Sequence, residues 1–202
     1  MQIDASALSR RDGYFLMISA IVPRPIAFVT TLGDNGIVNA APFSYFTGVS
    51  ASPPSLLICS GQRRHAAKDT HRNIVASREF VVNVVVEEIM EAVIIGGTDH
   101  PPDVSEIELA NLKTTPSARV RPPRIEASPV NMECRLIEVA EIAGGAIIVG
   151  EVVCMHVRDD LMIDSPTSPG SRVIDARRLR PVARLGDDDY VRLGEVFTRS
   201  SG

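Results

Sequence analysis

Three cysteines occur in 202 residues, and Cys59, Cys134 and Cys154 form no close pair. Soft metals usually take their ligands from closely spaced pairs, and a secreted disulfide scaffold needs an even number of cysteines. The spacing therefore points to reduced core thiols, without a metal site or a disulfide framework. Of the four histidines (His65, His71, His100, His156), only His65 and His71 are near one another, and at that separation they would not face each other on a helix. The chain has no GxSxG elbow, HExxH pair, GxxxxGK loop or GxGxxG after a strand. Nothing proposes a nucleophile with a base, so no catalytic side chain is assigned.

An excess of one charge is lacking too. A formal charge of −4, with 23% charged residues of both signs, gives no electrostatic footprint for nucleic acid or an anionic membrane. No apolar run reaches the roughly 18 residues of a membrane span. Ser9-Arg10-Arg11 and the apolar stretch to Val22 superficially resemble a twin-arginine export signal. Pro23-Arg24-Pro25 closes that stretch early, however, and no small-residue cleavage site follows. The expectation is a soluble, cytoplasmic protein.

What is present is strand. Ile26 to Thr31, Ser55 to Cys59, Phe80 to Val86, Val130 to Val139 and Ala146 to Val157 are rich in β-branched residues and bounded by Gly, Pro, Asn and Ser. Leu32 to Gly36 and Ala143 to Gly145 read as hairpin turns. Helices are expected over Asp12–Ile21, Lys68–Ser77, Glu87–Ile95 and Ser105–Leu112. In the second of these, Asp69 or Thr70 can cap the first turn. The whole of 1–202 reads as one mainly β, antiparallel domain with a few peripheral helices and a loop-rich excursion over about 96–129.

Two clusters carry chemistry. Ser60-Gly-Gln-Arg-Arg-His65 followed by Lys68-Asp-Thr-His-Arg-Asn73 is a cationic loop running into a helix start. It reads either as a solvated loop or as an anion site where backbone N–H groups and the helix dipole join Lys and Arg. Asn39-Ala-Ala-Pro-Phe-Ser-Tyr-Phe46 gathers three of the nine aromatic rings. Strict alternation puts Phe43 and Tyr45 on one face and Ser44 and Phe46 on the other, as core or as a pocket wall. Pro42 lacks an N–H and marks an edge or a break in pairing. Used together, the clusters suit a flat heteroaromatic carrying a phosphate.

The ordered series Pro23-Arg-Pro-Ile-Ala27, Asn39-Ala-Ala-Pro-Phe-Ser44, Ser52-Pro-Pro54, Lys68-Asp-Thr70, Glu79-Phe-Val-Val-Asn83, Pro122-Pro-Arg-Ile125, Glu133-Cys134, Gly150-Glu-Val152, His156-Val157 and Pro181-Val-Ala-Arg-Leu-Gly186 with Tyr190 resembles the flavin reductase-like family, whose fold is the FMN-binding split barrel. The resemblance spans about Tyr14 to Tyr190. It implies a homodimeric split β-barrel holding FMN, with Ser44, Tyr45, Phe46 and Thr47 along the isoalloxazine. Arg24, Ser60, Lys68, Asp69 and Thr70 would surround the ribityl phosphate, with Asn39 nearby. Asp69 would orient Lys68 or cap the helix, since two anions repel. His156, Arg184 and Tyr190 become candidates for the nicotinamide or substrate side. The implied activity is NAD(P)H-dependent flavin reduction, hydride passing from nicotinamide to flavin N5, with a monooxygenase or other electron acceptor as partner. The alternatives are an FMN-bound electron carrier or sensor that never meets NAD(P)H, and a barrel that has lost its cofactor. Asn111-Leu-Lys113 and Asp187-Asp-Asp189 depart from the family pattern and leave the substrate open.

Overall fold

The computed structural model of the chain describes residues 1–63, 66–142 and 144–198; the side chains of 62, 63, 66 and 67 are outside that description. The first half contains α1 (Arg10–Ala20), β1 (Arg24–Pro25), β2 (Ala27–Leu32), β3 (Val38–Phe43), β4 (Phe46–Ala51), β5 (Pro54–Arg63), β6 (Ala66–Ala67), α2 (Asp69–Ser77), β7 (Glu79–Val84) and α3 (Met90–Gly96). The second half contains α4 (Glu106–Leu109), β8 (Thr114–Thr115), β9 (Arg124–Ile125), β10 (Val130–Ile142), β11 (Gly145–Val157), β12 (Met162–Asp164), β13 (Arg172–Ile174), α5 (Ala176–Leu179), β14 (Val182–Arg184) and β15 (Tyr190–Arg192). No helix among the described residues is long and apolar enough to cross a membrane.

The main sheet runs β3-β2-β7-β10-β11-β5-β4, all antiparallel. Its two end strands are consecutive in sequence, joined by the bend at Ser44–Tyr45. The sheet therefore curls back on itself without its ends pairing, giving the mainly antiparallel split barrel that the resemblance implies. The seam lies at the aromatic stretch.

Alternation along β2 decides what fills the barrel. Ala27 and Val29 join Phe43, Leu56, Ile58, Phe80, Val82, Leu136 and Ile148 in one buried cluster, closed at one side by Ile74 of α2. Phe28 and Ile26 point the other way, into a second cluster with Val93 of α3 and Ile107 of α4. Covered on both faces, β2 carries an unbroken apolar and threonine run, as a doubly buried strand should. Gly150 on β11 is needed for this packing. A Cβ there would lie 2.8 Å from Phe80 Cε1, and nearer still to its Cζ, while Phe80 is fully buried. Gly150→Ala is expected to cost about 1–3 kcal/mol through overpacking, read as a lower urea midpoint with an unchanged m-value.

The turn expected at 32–36 is present, with Gly36 at φ +80 and Gly33 N–H donating to Ile37 O at 2.9 Å. In the second expected turn, Ala143 lies outside the described residues. The 96–129 excursion is held down rather than free. Ile107, Val120 and Ile125 are buried, and the loop's backbone is tied to polar side chains of the sheet. Thr30 Oγ1 donates to Pro123 O at 2.6 Å, and Asn83 Oδ1 accepts from Ile125 N–H at 2.9 Å.

Candidate functional site

The predicted site residues fall into three groups, set by which face of the sheet each side chain takes. Alternation along β3 separates the first two. Asn39, Ala41 and Phe43 face α2 and the barrel interior, whereas Ala40, Pro42 and Ser44 face the α3 side.

At the interior end, α2 meets β2 and β3 through polar contacts. Asn39 Nδ2 donates to Thr70 Oγ1 at 3.0 Å, and Asn73 Nδ2 donates to Thr31 Oγ1 at 3.0 Å. Thr70 and Asn73 are one turn apart and so point to the same end of the barrel. Thr70 is 1% exposed and Asn39 9%. The capping expectation is corrected: Lys68 is the N-cap residue, with no side-chain cap bond. Asp69 is the first helical residue, engaged by Arg72, and Thr70 is held by Asn39. Lys68 Nζ lies over the Phe43 ring at 5.6 Å from its centroid. A nine-residue helix with no side-chain cap, a cation at its N-cap and a buried hydroxyl in its first turn is a donor set suited to an anion. Arg64 and His65 of the cationic loop lie outside the described residues. Ser60, 2% exposed, directs its hydroxyl to Gly61 O at 3.5 Å.

The seam corrects the alternation expected for the aromatic stretch. Phe43 is buried and Phe46 packs against the same cluster, whereas Tyr45 is 39% exposed. The bend at Ser44–Tyr45 resets the strand's phase, so the two phenylalanines share a side and Tyr45 does not join Phe43. Pro42 does not interrupt the ladder either; it pairs in register with Phe28. Ala40 N–H donates to Glu106 Oε2 at 2.9 Å, and Val38 O accepts from Ser105 Oγ at 2.7 Å. The even positions of β3 thus point off the sheet, and Pro42 falls on one of them, where a missing N–H costs no ladder bond. Thr47 is exposed on β4, opposite Leu57.

On the other face, Arg24, Ser44, Arg184 and Tyr190 line a cleft of about 340 Å³ together with Tyr14 and Pro42. Arg24 and Arg184 are cross-strand partners, a like-charge placement that costs energy unless each cation is satisfied elsewhere. Arg24, 4% exposed, donates to Ile18 O, to Ile21 O at 2.7 Å, to Leu185 O at 2.6 Å and to Ser44 Oγ at 3.4 Å. Arg184 lies 4.5 Å from the Tyr190 ring centroid, donates to Tyr190 Oη and pairs with Asp188 at 3.0 Å. Arg24 therefore ties α1 to the segment after β14 and is separated from Lys68 by β3.

The third group centres on a residue that sequence reasoning passed over as a site. Glu133 is fully buried, and it accepts from Ala118 N–H at 2.8 Å, Arg119 N–H at 2.6 Å and His156 Nε2 at 2.5 Å. Burial is the largest influence on its acidity and pushes the carboxyl pKa up. The Ala118 N–H, His156 and the Arg119 N–H together outweigh it, holding the net value below the usual carboxylate range. Cys154 Sγ lies 3.5 Å from the same His156 nitrogen, so this half-buried thiol adjoins a polar cluster. Cys134 differs: burial, helped by the Glu133 charge, pushes its thiol well up and leaves it inert. The available signal was a glutamate inside the apolar run VNMECRL, which alternation puts on the same face as Asn131.

A family model described as flavin reductase like domain matches residues 18–167. An uncharacterized protein of Halalkalibacterium halodurans is 40% identical over 98% of this chain and 95% of its own length. Among solved structures, nitrilotriacetate monooxygenase component B from Bacillus cereus superposes with TM-score 0.91 at 32% identity, covering 98% of each chain. The 2-nitrobenzoate 2-nitroreductase of Pseudomonas fluorescens superposes with TM-score 0.88 at 31% identity, covering 100% of this chain and 96% of its own.

Proposed function

The chain belongs to the family of flavin reductase like domains, and on that premise we propose that it binds FMN and works as an NAD(P)H-dependent flavin reductase. The observation that carries the reading is the start of α2: no side-chain cap, Lys68 at the N-cap, and Thr70 buried beside Asn39. These three residues would hold the phosphate. Ser44 to Thr47 at the seam would border the ring system. We assign Arg24 no phosphate contact, because its guanidinium is bound to the Ile21 and Leu185 carbonyls; Ser60, whose hydroxyl lies 3.5 Å from Gly61 O, stays a candidate beside the phosphate. Asp69, paired with Arg72, shapes the turn instead of touching the anion.

FMN, when bound, supplies the hydride-accepting chemistry. The chain's own task is to bind, orient and exclude water, which agrees with the absence of a nucleophile–base motif from its sequence. Arg184 and Tyr190, on the cleft wall next to Ser44, are the residues we assign to the nicotinamide or acceptor side. His156 belongs to the Glu133 cluster and is withdrawn from that role. A homodimer fits the surface, because α1 exposes Tyr14, Leu16 and Met17, Ile21 just after it is exposed as well, and β4 exposes Val49. Likeness to a monooxygenase component B supports reduced flavin passing to a partner oxygenase.

Anaerobic mixing of the FMN-loaded chain with NADH or NADPH tests the reading. Loss of the flavin's visible absorbance within seconds is the expected result. Bleaching by dithionite alone would make the protein an electron carrier, and failure to take up FMN would overturn the proposal at its first step.

A further inference from the structure

Sequence spacing argued against a metal, because no two cysteines are close. Strand pairing supplies what spacing does not. Cys154 and His156, two apart on β11, project from one face, and the register sets Glu133 of β10 directly opposite Cys154. One ligand atom from each of the three lies within 4.8 Å of the other two. We propose that Glu133, Cys154 and His156 form a zinc(II) site, with the fourth coordination position open to solvent.

Bond lengths support this assignment. With Zn–S about 2.3 Å and Zn–N about 2.0–2.1 Å at the tetrahedral angle, sulfur and nitrogen should be roughly 3.5 Å apart. Cys154 Sγ and His156 Nε2 are 3.5 Å apart. The Glu133 Oε1 to His156 Nε2 distance is 2.5 Å, and coordination would open it to about 3.3 Å by exchanging one hydrogen bond for two metal bonds. The carboxylate is already oriented by the Ala118 and Arg119 N–H groups, the kind of support that metal-bound carboxylates receive.

Charge and access agree. A thiolate and a carboxylate neutralise a dication, which matters where Glu133 is fully buried. Arg124, with Nε 4.0 Å from Glu133 Oε1, remains as the adjacent cation. His156 borders a cleft of about 490 Å³ whose walls include Arg124, Ser128, Asn131 and Arg158, so water can reach the fourth position. A thiolate, an imidazole and a carboxylate with one open position suit zinc better than magnesium or calcium, which prefer all-oxygen sets. Binding must displace the Cys154 thiol proton, which passes to the buffer, and the His156 proton must move from Nε2 to Nδ1 so that Nε2 offers its lone pair to the metal.

The test is equilibrium dialysis of the full, reduced chain against zinc(II), followed by metal analysis, together with cobalt(II) difference spectra against cobalt-free protein. The expectation is a single zinc per chain and a thiolate-to-cobalt charge-transfer band. Cys154→Ser should abolish the band, Cys154→Ser and His156→Gln should each weaken zinc binding at least about tenfold, and Cys59→Ser should change neither. No zinc uptake would overturn the site. So would a band that survives in Cys154→Ser or disappears in Cys59→Ser.

Discussion

Glu133→Ala is expected to destabilise the fold by about 3–5 kcal/mol, the range for breaking a buried ionic cluster by removing one partner. The side chain has no exposed surface, and Ala118 N–H, Arg119 N–H and His156 all converge on it. Truncation leaves those donors without their acceptor and frees the 117–119 turn from β10. Glu133→Gln tests charge apart from shape, since it keeps the volume and one carbonyl acceptor. The acid dependence has a definite sign. A carboxyl whose pKa is lower folded than unfolded stabilises the fold above the unfolded value near 4.5, and that contribution is lost as pH falls through the lowered folded value. Urea midpoints measured with a chelator present, so that no metal contributes, should therefore differ most between wild type and Glu133→Gln near neutrality and converge in acid. A gap that stays constant down to pH values below the folded pKa would mean that the charge contributes nothing.

The strands that sequence made legible are those buried on at least one face by β-branched residues. The runs at 26–31, 80–86 and 130–139 correspond to β2, β7 and β10 within a few residues at their ends. β4 carried no such signal, because five of its six residues are exposed and include Thr47, Gly48 and Ser50. It is a strand because β5 pairs with it, a long-range cause that no local pattern records. Pro42 illustrates the same limit: the sequence says that a donor is missing, and only the register says that the missing donor points off the edge. At the site, Thr70 and Asn39 could be grouped in advance by resemblance. Their hydrogen bond across 31 positions could not be read locally, nor could the separation of Arg24 from Lys68 by β3. Glu133 was visible as a carboxylate in an apolar strand; its partners come from a loop fourteen or fifteen residues upstream and a strand twenty-three residues downstream.

Lys68→Ala combined with Thr70→Ala is expected to weaken FMN binding by about 10²–10⁴-fold while leaving riboflavin binding within about threefold of wild type. Hydrogen bonds to a charged group are worth about 1.5–3 kcal/mol each, and every 1.4 kcal/mol is a factor of ten, so losing two gives that range. Riboflavin lacks the phosphate and should hardly register the change if these residues act only there. Thr70 is buried and accepts from Asn39 Nδ2, so its hydroxyl proton remains to donate to an oxyanion. Thr70→Ser should recover most of its share, and Lys68→Arg should retain the salt dependence that a point charge at a helix start confers. Because Thr70→Ala also takes away the acceptor of a buried amide, the thermal midpoint of each variant must be measured beside the affinities. A general loosening of the barrel would weaken both flavins together, in proportion to lost stability. Selective loss of FMN, with riboflavin binding retained, would assign the phosphate to the first turn of α2, and equal loss of both would remove it from there.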